Sequence, residues 1–129
     1  MNKIRMIALA ACMAATLDAA AQEQEIRLFS HRGGRMEHDE NTLSAFQASY
    51  DAGYRGFETD IRMTRDGALV ITHDSSLERT TDGTGTVEEK TEAEIRRLRT
   101  KQGNKVLFLD ELLEFLEGKE GLYVEFEMK

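Results

Sequence analysis

The sequence predicts an α/β fold, and three observations carry that reading. Short β-type runs alternate with helix-patterned segments in the order strand, helix, strand hairpin, helices, strand. Glycines punctuate these segments, since the chain has 10 glycines and no proline. The polar residues of chemical interest fall at the C-terminal ends of strands, where parallel α/β folds place their chemistry.

Each element follows from its residues. Ile26-Arg27-Leu28-Phe29-Ser30 reads as a strand that runs into a tight loop at His31-Arg32-Gly33-Gly34. Asn41 or Thr42 can cap a helix from Leu43 to about Ala52, and Gly53 ends it. A hairpin follows, then a polar loop from Ser75 to Val87 rich in Thr and Gly. Thr91-Glu92-Ala93-Glu94 fits a capping box and opens a charged helix through Ile95 and Leu98. Asp110 can cap a further helix, in which Leu112, Leu113 and Leu116, with Phe115, form an apolar face, and Gly118 stops it. Leu122 to Glu127 reads as a final strand.

The hairpin carries the chemistry. Glu58 and Asp60 are two apart in a strand, so they share a face, while Phe57, Thr59 and Ile61 take the other. Two carboxylates side by side repel each other. They tolerate this best around a divalent cation, and oxygen ligands suit Mg²⁺ or Ca²⁺. Asp66-Gly67 between alternating apolar residues signals a two-residue type I′ turn. That turn pairs Arg65 with Ala68 and sets His73 directly opposite Asp60, on the same face. The expectation is a Glu–Asp–His cluster. A three-residue turn would shift the register by one and send His73 to the other face. The spacing alone is also what a solvated polar face on an edge hairpin would show.

The first 21 residues have the layout of a secretory signal peptide and lie outside the expected fold. Lys3 and Arg5 precede an uncharged apolar run from Met6 to Leu17, and Ala19-Ala20-Ala21 is a small-residue cleavage site. The apolar run is too short to span a bilayer in the usual way. Leu9-Ala10-Ala11-Cys12 faintly resembles a lipoprotein site, but cleavage after Ala21 fits better, which directs the chain to the periplasm or medium. Cys12, the single cysteine, would leave with the signal. The whole chain carries a net charge of −7, and loss of Lys3, Arg5 and Asp18 makes the rest more acidic. That argues against nucleic-acid binding. Residues 22–129 suffice for one small domain, with no repeat and no linker.

Several short motifs, in order and at their spacing, resemble the glycerophosphodiester phosphodiesterases. They are His31-Arg32-Gly33; Glu40-Asn41-Thr42 with Ala45-Phe46; Glu58-Thr59-Asp60; Thr64 with Asp66-Gly67; and Val70 with His73-Asp74. Arg79-Thr80-Thr81 with Gly83 and Gly85, Leu109-Asp110-Glu111, and Glu127-Met128-Lys129 complete the set. The resemblance implies the N-terminal portion of a (β/α)₈ TIM barrel with a β-hairpin extension. It also implies metal-assisted hydrolysis of glycerophosphodiesters to glycerol 3-phosphate and an alcohol. On it, Glu58, Asp60 and Glu127 hold one divalent cation, Mg²⁺ or Ca²⁺, and His31 and His73 are the acid/base pair. Arg32 holds a phosphate oxygen, Lys129 contacts the phosphate or orders the carboxylates, and Glu40 stands close by, helping to bind the metal or orienting groups. Glu125 shares a strand face with Glu127, and the match favours Glu127. Asp39 and Leu107-Phe108 replace residues that are usually proline and proline-threonine in the family.

A complete barrel of this type takes about 250 residues, so residues 22–129 are expected to form a partial, inactive catalytic domain. The other classes open to the sequence are a related phospholipase D-like barrel enzyme and a non-catalytic metal-binding or interaction module. The Thr81–Gly85 loop has the look of a phosphate cradle but lacks the Gly-Lys-Ser/Thr continuation of a P-loop, and a plain surface loop is expected. His38, outside every motif, is expected to be solvated. The export reading is checked by N-terminal sequencing of the protein recovered from periplasm or medium: the first residue should be Gln22, and a protein retaining Met1 in the cytoplasm would refute it.

Overall fold

A computed structural model describes residues 26–129. The expected signal segment, including Cys12, lies outside the described residues. The sheet is built around one long strand. Strand β1 (Phe29–His31) pairs in parallel with the first half of β2 (Gly56–Met63), and β3 (Leu69–Ile71) pairs antiparallel with its second half. Strand β4 (Tyr123–Met128) runs parallel along the other edge of β2, from Gly56↔Tyr123 to Ile61↔Met128. Three parallel strands in barrel order, with an antiparallel hairpin attached, is the partial α/β barrel architecture that the sequence suggests.

Helix α1 (Leu43–Asp51) is the crossover between β1 and β2. Thr42 is its cap: the hydroxyl accepts the Ala45 N–H at 3.2 Å, and Gly53, at φ +94°, ends it. Phe46 projects from α1 onto Phe57 of β2, edge to face at 5.6 Å. These two, with Ile61, Ile71, Leu107 and Leu112, form the first buried cluster. Helix α2 (Glu92–Ile95) has the expected capping box, Thr91 with Glu94, but lasts only one turn. Helix α3 (Leu109–Leu116) starts one residue before Asp110, so the expected Asp110 cap does not form. The Glu111 carboxylate accepts the Phe108 N–H at 3.1 Å in its place. Leu112 of α3 is buried, whereas Leu113 is half exposed.

The hairpin corrects the expected register. The pairs are Ile61↔Ile71, Arg62↔Val70 and Met63↔Leu69, one step away from a two-residue turn. Type I′ needs positive φ at both central residues. Only Gly67 has it, at +91°. The connection is therefore a three-residue loop, closed by Gly67 N–H to Thr64 O at 3.0 Å and by the Ala68 N–H to the Thr64 hydroxyl at 2.8 Å. His73 is thus not opposite Asp60. Thr72 takes that place and donates its N–H to Asp60 O at 3.0 Å.

The segment expected as a polar loop hides a second core. Leu77 and Val87 are buried with Val70, Ile95, Val106 and Phe108. Leu107 joins the first cluster and Phe108 the second, so these two neighbours tie the clusters together. The Leu107 carbonyl also accepts the Ile71 N–H at 2.9 Å, extending the sheet beyond β3. Asp39 accepts hydrogen bonds from the Thr100 hydroxyl and, at 2.8 Å, from Asn104 Nδ2. It stitches the β1–α1 loop to the segment before α3.

That loop is tightly set. Arg32 and Asn41 both have positive φ, +52° and +56°, an uncommon conformation for such residues that recurs at functional sites. Gly33 follows at φ +77°, and a Cβ there would lie 2.8 Å from the Ala45 side chain. Gly33→Ala combines a left-handed backbone with this overlap, so it should destabilise the protein by roughly 1–3 kcal/mol. Urea denaturation followed by far-UV circular dichroism checks this, and an unchanged midpoint would refute the close approach of loop and helix.

Candidate metal and acid/base site

Parallel register gathers the site. Residues paired across neighbouring strands face the same side. His31 of β1 is level with Glu58, and Glu127 of β4 is level with Asp60. Glu58, Asp60 and Glu127 converge so that one carboxylate oxygen from each lies within 4.8 Å of the others. Glu125 is level with Glu58, yet it stays exposed and outside this trio.

Asp60 is fully buried at the centre. Its Oδ2 lies 3.1 Å from Arg32 Nε and accepts a hydrogen bond from Asn41 Nδ2 at 3.1 Å. Asn41 is in turn fixed by the Thr59 hydroxyl, which donates to its Oδ1 at 2.9 Å. Asp60 Oδ1 has no hydrogen-bond partner, although it is buried, and Lys129 Nζ stands 3.4 Å away. The same ammonium is 2.6 Å from Glu127, and this contact raises the Lys129 pKa. A buried carboxylate oxygen without a donor, beside two further carboxylates, is what a hard divalent cation would complete. Burial first, and then the negative charge of Asp60, push the Glu58 carboxyl above its ordinary pKa. Electrostatically, the trio carries more negative charge than its neighbours neutralise.

The two histidines are placed differently. His31 is half exposed, with Nε2 3.5 Å from Glu58 Oε2. The backbone N–H of Arg32 donates to the Glu58 carbonyl at 2.9 Å, so the loop leaves β1 pinned to β2. His73 meets none of the three carboxylates in a recorded hydrogen bond or ion pair. Its Nδ1 lies 2.7 Å from Asp74 Oδ1. Asp74 is bound by Arg79 Nε, and the two guanidinium Nη atoms of Arg79 donate to both oxygens of Glu40, at 3.0 and 2.7 Å. Glu40 also accepts from Arg32 Nη1 at 3.2 Å. A continuous charged chain therefore runs from His73 through Asp74, Arg79, Glu40 and Arg32 to Asp60. Hydrogen bonding to Arg79 depresses the pKa values of Asp74 and Glu40.

Every residue singled out from the sequence is in this assembly, but His73 joins it indirectly. The residues without an assigned role were Asn41, Asp74 and Arg79. Each lies in a family motif, and nothing in the spacing alone singled it out. The Thr81–Gly85 loop is a surface loop, as expected: the Gly85 N–H is taken by Glu78 Oε1 at 2.8 Å and the Gly83 N–H by the Thr81 hydroxyl at 3.0 Å. His38 is exposed.

Comparison with known proteins fits this geometry. A glycerophosphodiester phosphodiesterase from Caldanaerobacter subterraneus is 35% identical over 109 residues, covering 79% of this chain and 44% of that protein. The crystal structure of an Agrobacterium tumefaciens glycerophosphodiester phosphodiesterase superposes with a TM-score of 0.71 at 35% identity, over 79% of this chain and 47% of that one. A phosphodiesterase from Oleispira antarctica, solved with the product sn-glycerol-3-phosphate, gives 0.74 at 30% identity, over 81% of this chain and 44% of that one. The chain thus spans a little under half the length of these relatives. The model of the glycerophosphoryl diester phosphodiesterase family matches residues 31–129, from the first histidine of the site to its lysine, and the chain belongs to that family.

Proposed function

We propose that this protein carries the N-terminal part of the catalytic domain of an exported enzyme that hydrolyses glycerophosphodiesters to glycerol 3-phosphate and an alcohol. Its site would be built from Glu58, Asp60 and Glu127 around one divalent cation, Mg²⁺ or Ca²⁺. The observation that carries this reading is the convergence of the three carboxylates, with the buried Asp60 Oδ1, which makes no hydrogen bond, among them and His31 alongside.

A phosphodiester is an anion and resists nucleophiles. The bound cation would offset the charge that builds on the phosphoryl oxygens. Arg32, held by Glu40 and Asp60, and Lys129 would add positive charge on the same face and orient the phosphate. One histidine would take the proton from the nucleophile, a substrate hydroxyl in the simplest case, and the other would give a proton to the leaving alcohol oxygen; the cyclic phosphodiester so formed would then be opened by water, with the two roles exchanged, to give glycerol 3-phosphate.

The complete activity belongs to a closed barrel. In residues 26–129 strand β4 is largely exposed on both faces, with Phe126 and Met128 on one side and Glu125 and Glu127 on the other. The 129-residue chain should therefore bind cation without turnover. Isothermal titration calorimetry with Mg²⁺ and Ca²⁺ should show one site, abolished by Asp60→Ala. Because the Glu58 pKa is raised, a proton competes with the cation at higher pH than for an ordinary carboxyl. Affinity should fall as pH drops through the raised Glu58 pKa, and binding there should release a proton. Affinity independent of pH down to the ordinary carboxylate range would remove Glu58 from the ligand set.

Turnover is tested by joining residues 22–129 to the C-terminal half of a relative's barrel and assaying glycerophosphocholine. Exhaustive chelation should abolish hydrolysis, and activity that survives it would end the metal reading. In the same protein His31→Ala and His73→Ala should each lower kcat by a factor on the order of 10² to 10⁴. Near wild-type turnover in either variant would strip that histidine of its role.

A further inference from the structure

We propose that Arg79 is a positioning residue for His73: it clamps Asp74 and Glu40 on one guanidinium, so that Asp74 holds the His73 ring with Nδ1–H inward and leaves Nε2 as the working nitrogen. The role in catalysis rests on the phosphodiesterase reading above. The ring orientation itself rests on the contacts.

Arg79 offers a rigid fork of donors, and all three of its nitrogens are used. Nε binds Asp74, while Nη1 and Nη2 take the two oxygens of Glu40 in a bidentate pair at 3.0 and 2.7 Å. A lysine could not reproduce this, because a single ammonium has no planar fork. Glu40 is mostly buried and already fixed by Arg32, so it anchors the far side of the clamp. With Arg79 on one oxygen, Asp74 presents the other to His73 Nδ1 at 2.7 Å. An ionised carboxylate only accepts hydrogen bonds, and the Asp74 pKa is depressed. The proton of a neutral His73 must then sit on Nδ1.

The backbone of His73 is held as well. Arg62 Nε donates to the His73 carbonyl at 2.9 Å, and Arg62 is braced by Glu88, which also accepts from the Ser75 hydroxyl. The charged groups around His73 are thus Asp74 at the ring, Arg79 behind Asp74, and the Arg62–Glu88 pair at the main chain. A ring held at Nδ1, on a backbone that is itself held, can move a proton at Nε2 without turning. When Nε2 gains a proton, the imidazolium keeps Nδ1–H on Asp74, which faces the new positive charge. The same Nε2 proton then leaves to the next acceptor, and Asp74 stays ionised throughout. A carboxylate that orients a catalytic histidine in this way is a recurrent device.

This assignment also gives Glu40 and Arg32 a link to the histidine. Arg32 lies against Asp60 at 3.1 Å, so the clamp sets His73 and the carboxylate trio in one frame.

The test reads the tautomer directly. The full chain, labelled with ¹⁵N-histidine, is examined by long-range ¹H–¹⁵N correlation at alkaline pH, where imidazole is neutral. The wild-type ring should carry its proton on Nδ1. Arg79→Met and Asp74→Asn should lose that signature and move toward the Nε2–H form, while Arg79→Lys recovers it only in part. In the completed barrel, Arg79→Met should lower kcat about tenfold or more with KM little changed, and its pH profile should shift. A wild-type ring protonated on Nε2, or an Arg79→Met tautomer identical to wild type, would overturn the proposal. Both results are read without turnover, so a completed barrel that hydrolyses no diester would sink the enzymatic reading and leave the positioning result to be judged alone. Arg79 is half exposed, so its variants should fold. Should the isolated chain prove unsuitable for NMR, the kcat and pH-profile arms decide the question, and unchanged values in both refute it.

Discussion

A fully buried carboxylate in the middle of the central strand must be neutralised, and much of the structure answers that demand. Asp60 has no exposure, and a charge in such a place is strongly unfavourable unless paired and hydrogen-bonded. Its partners come from two distant parts of the chain. Arg32 and Asn41 come from the β1–α1 loop, and Lys129 follows β4. That loop can deliver both residues because Arg32 and Asn41 take left-handed conformations and the Asn41 N–H donates to the Arg32 carbonyl at 2.9 Å. Local backbone strain at these two positions is offset by what they do for Asp60. One oxygen is still left without a donor, which is why the site reads as unfinished without a cation.

Strand β2 has the architecture to bear this charge. Its even positions from Glu58 face the polar side, and its odd positions Phe57, Thr59 and Ile61 are buried against the helices. Gly56 opens the strand, where Phe29 and Tyr123 are both level with it and meet edge to face at 5.3 Å. A Cβ on Gly56 would lie 2.5 Å from the Leu28 carbonyl oxygen. The glycine thus permits close approach of β1, and the polar face begins two residues later. The sharp change from an aromatic floor to a carboxylate cluster within one strand sets where chemistry can occur.

Much of this was legible in the residues. The i, i+2 spacing of Glu58 and Asp60 fixed their common face, and the Thr42 and Thr91 caps lay where local hydrogen-bonding chemistry puts them. The register of the hairpin was not legible, because Asp-Gly supports both a two-residue turn and a three-residue loop with glycine last. The choice fell to Thr64, whose hydroxyl takes the Ala68 N–H and donates to Asp66. That one-residue difference removed His73 from the place opposite Asp60. The second core was hidden for another reason. Leu77 and Val87 are isolated apolar residues in a polar run, with no period to reveal them, and only the return of Val106 and Phe108 from far along the chain buries them. Asp74 and Arg79 escaped notice similarly, since a clamp onto Glu40 joins residues 39 positions apart.

The resulting division of labour separates binding from turnover. The carboxylate trio draws only on β2 and β4, and its neutralising partners lie within the described residues, so a cation bound there would need no ligand from a further strand. The histidines are less self-sufficient. His31 is half exposed at the end of a three-residue strand whose other edge pairs with no strand among the described residues. His73 depends on side-chain contacts reaching across the β1–α1 loop. In a closed barrel, strands beyond β1 and β4 would cover the exposed faces, exclude water and strengthen each charged contact by lowering the local dielectric. Placement of the carboxylates is therefore a property of the central strands, whereas the low-dielectric environment that the proposed proton transfer needs would be a property of closure.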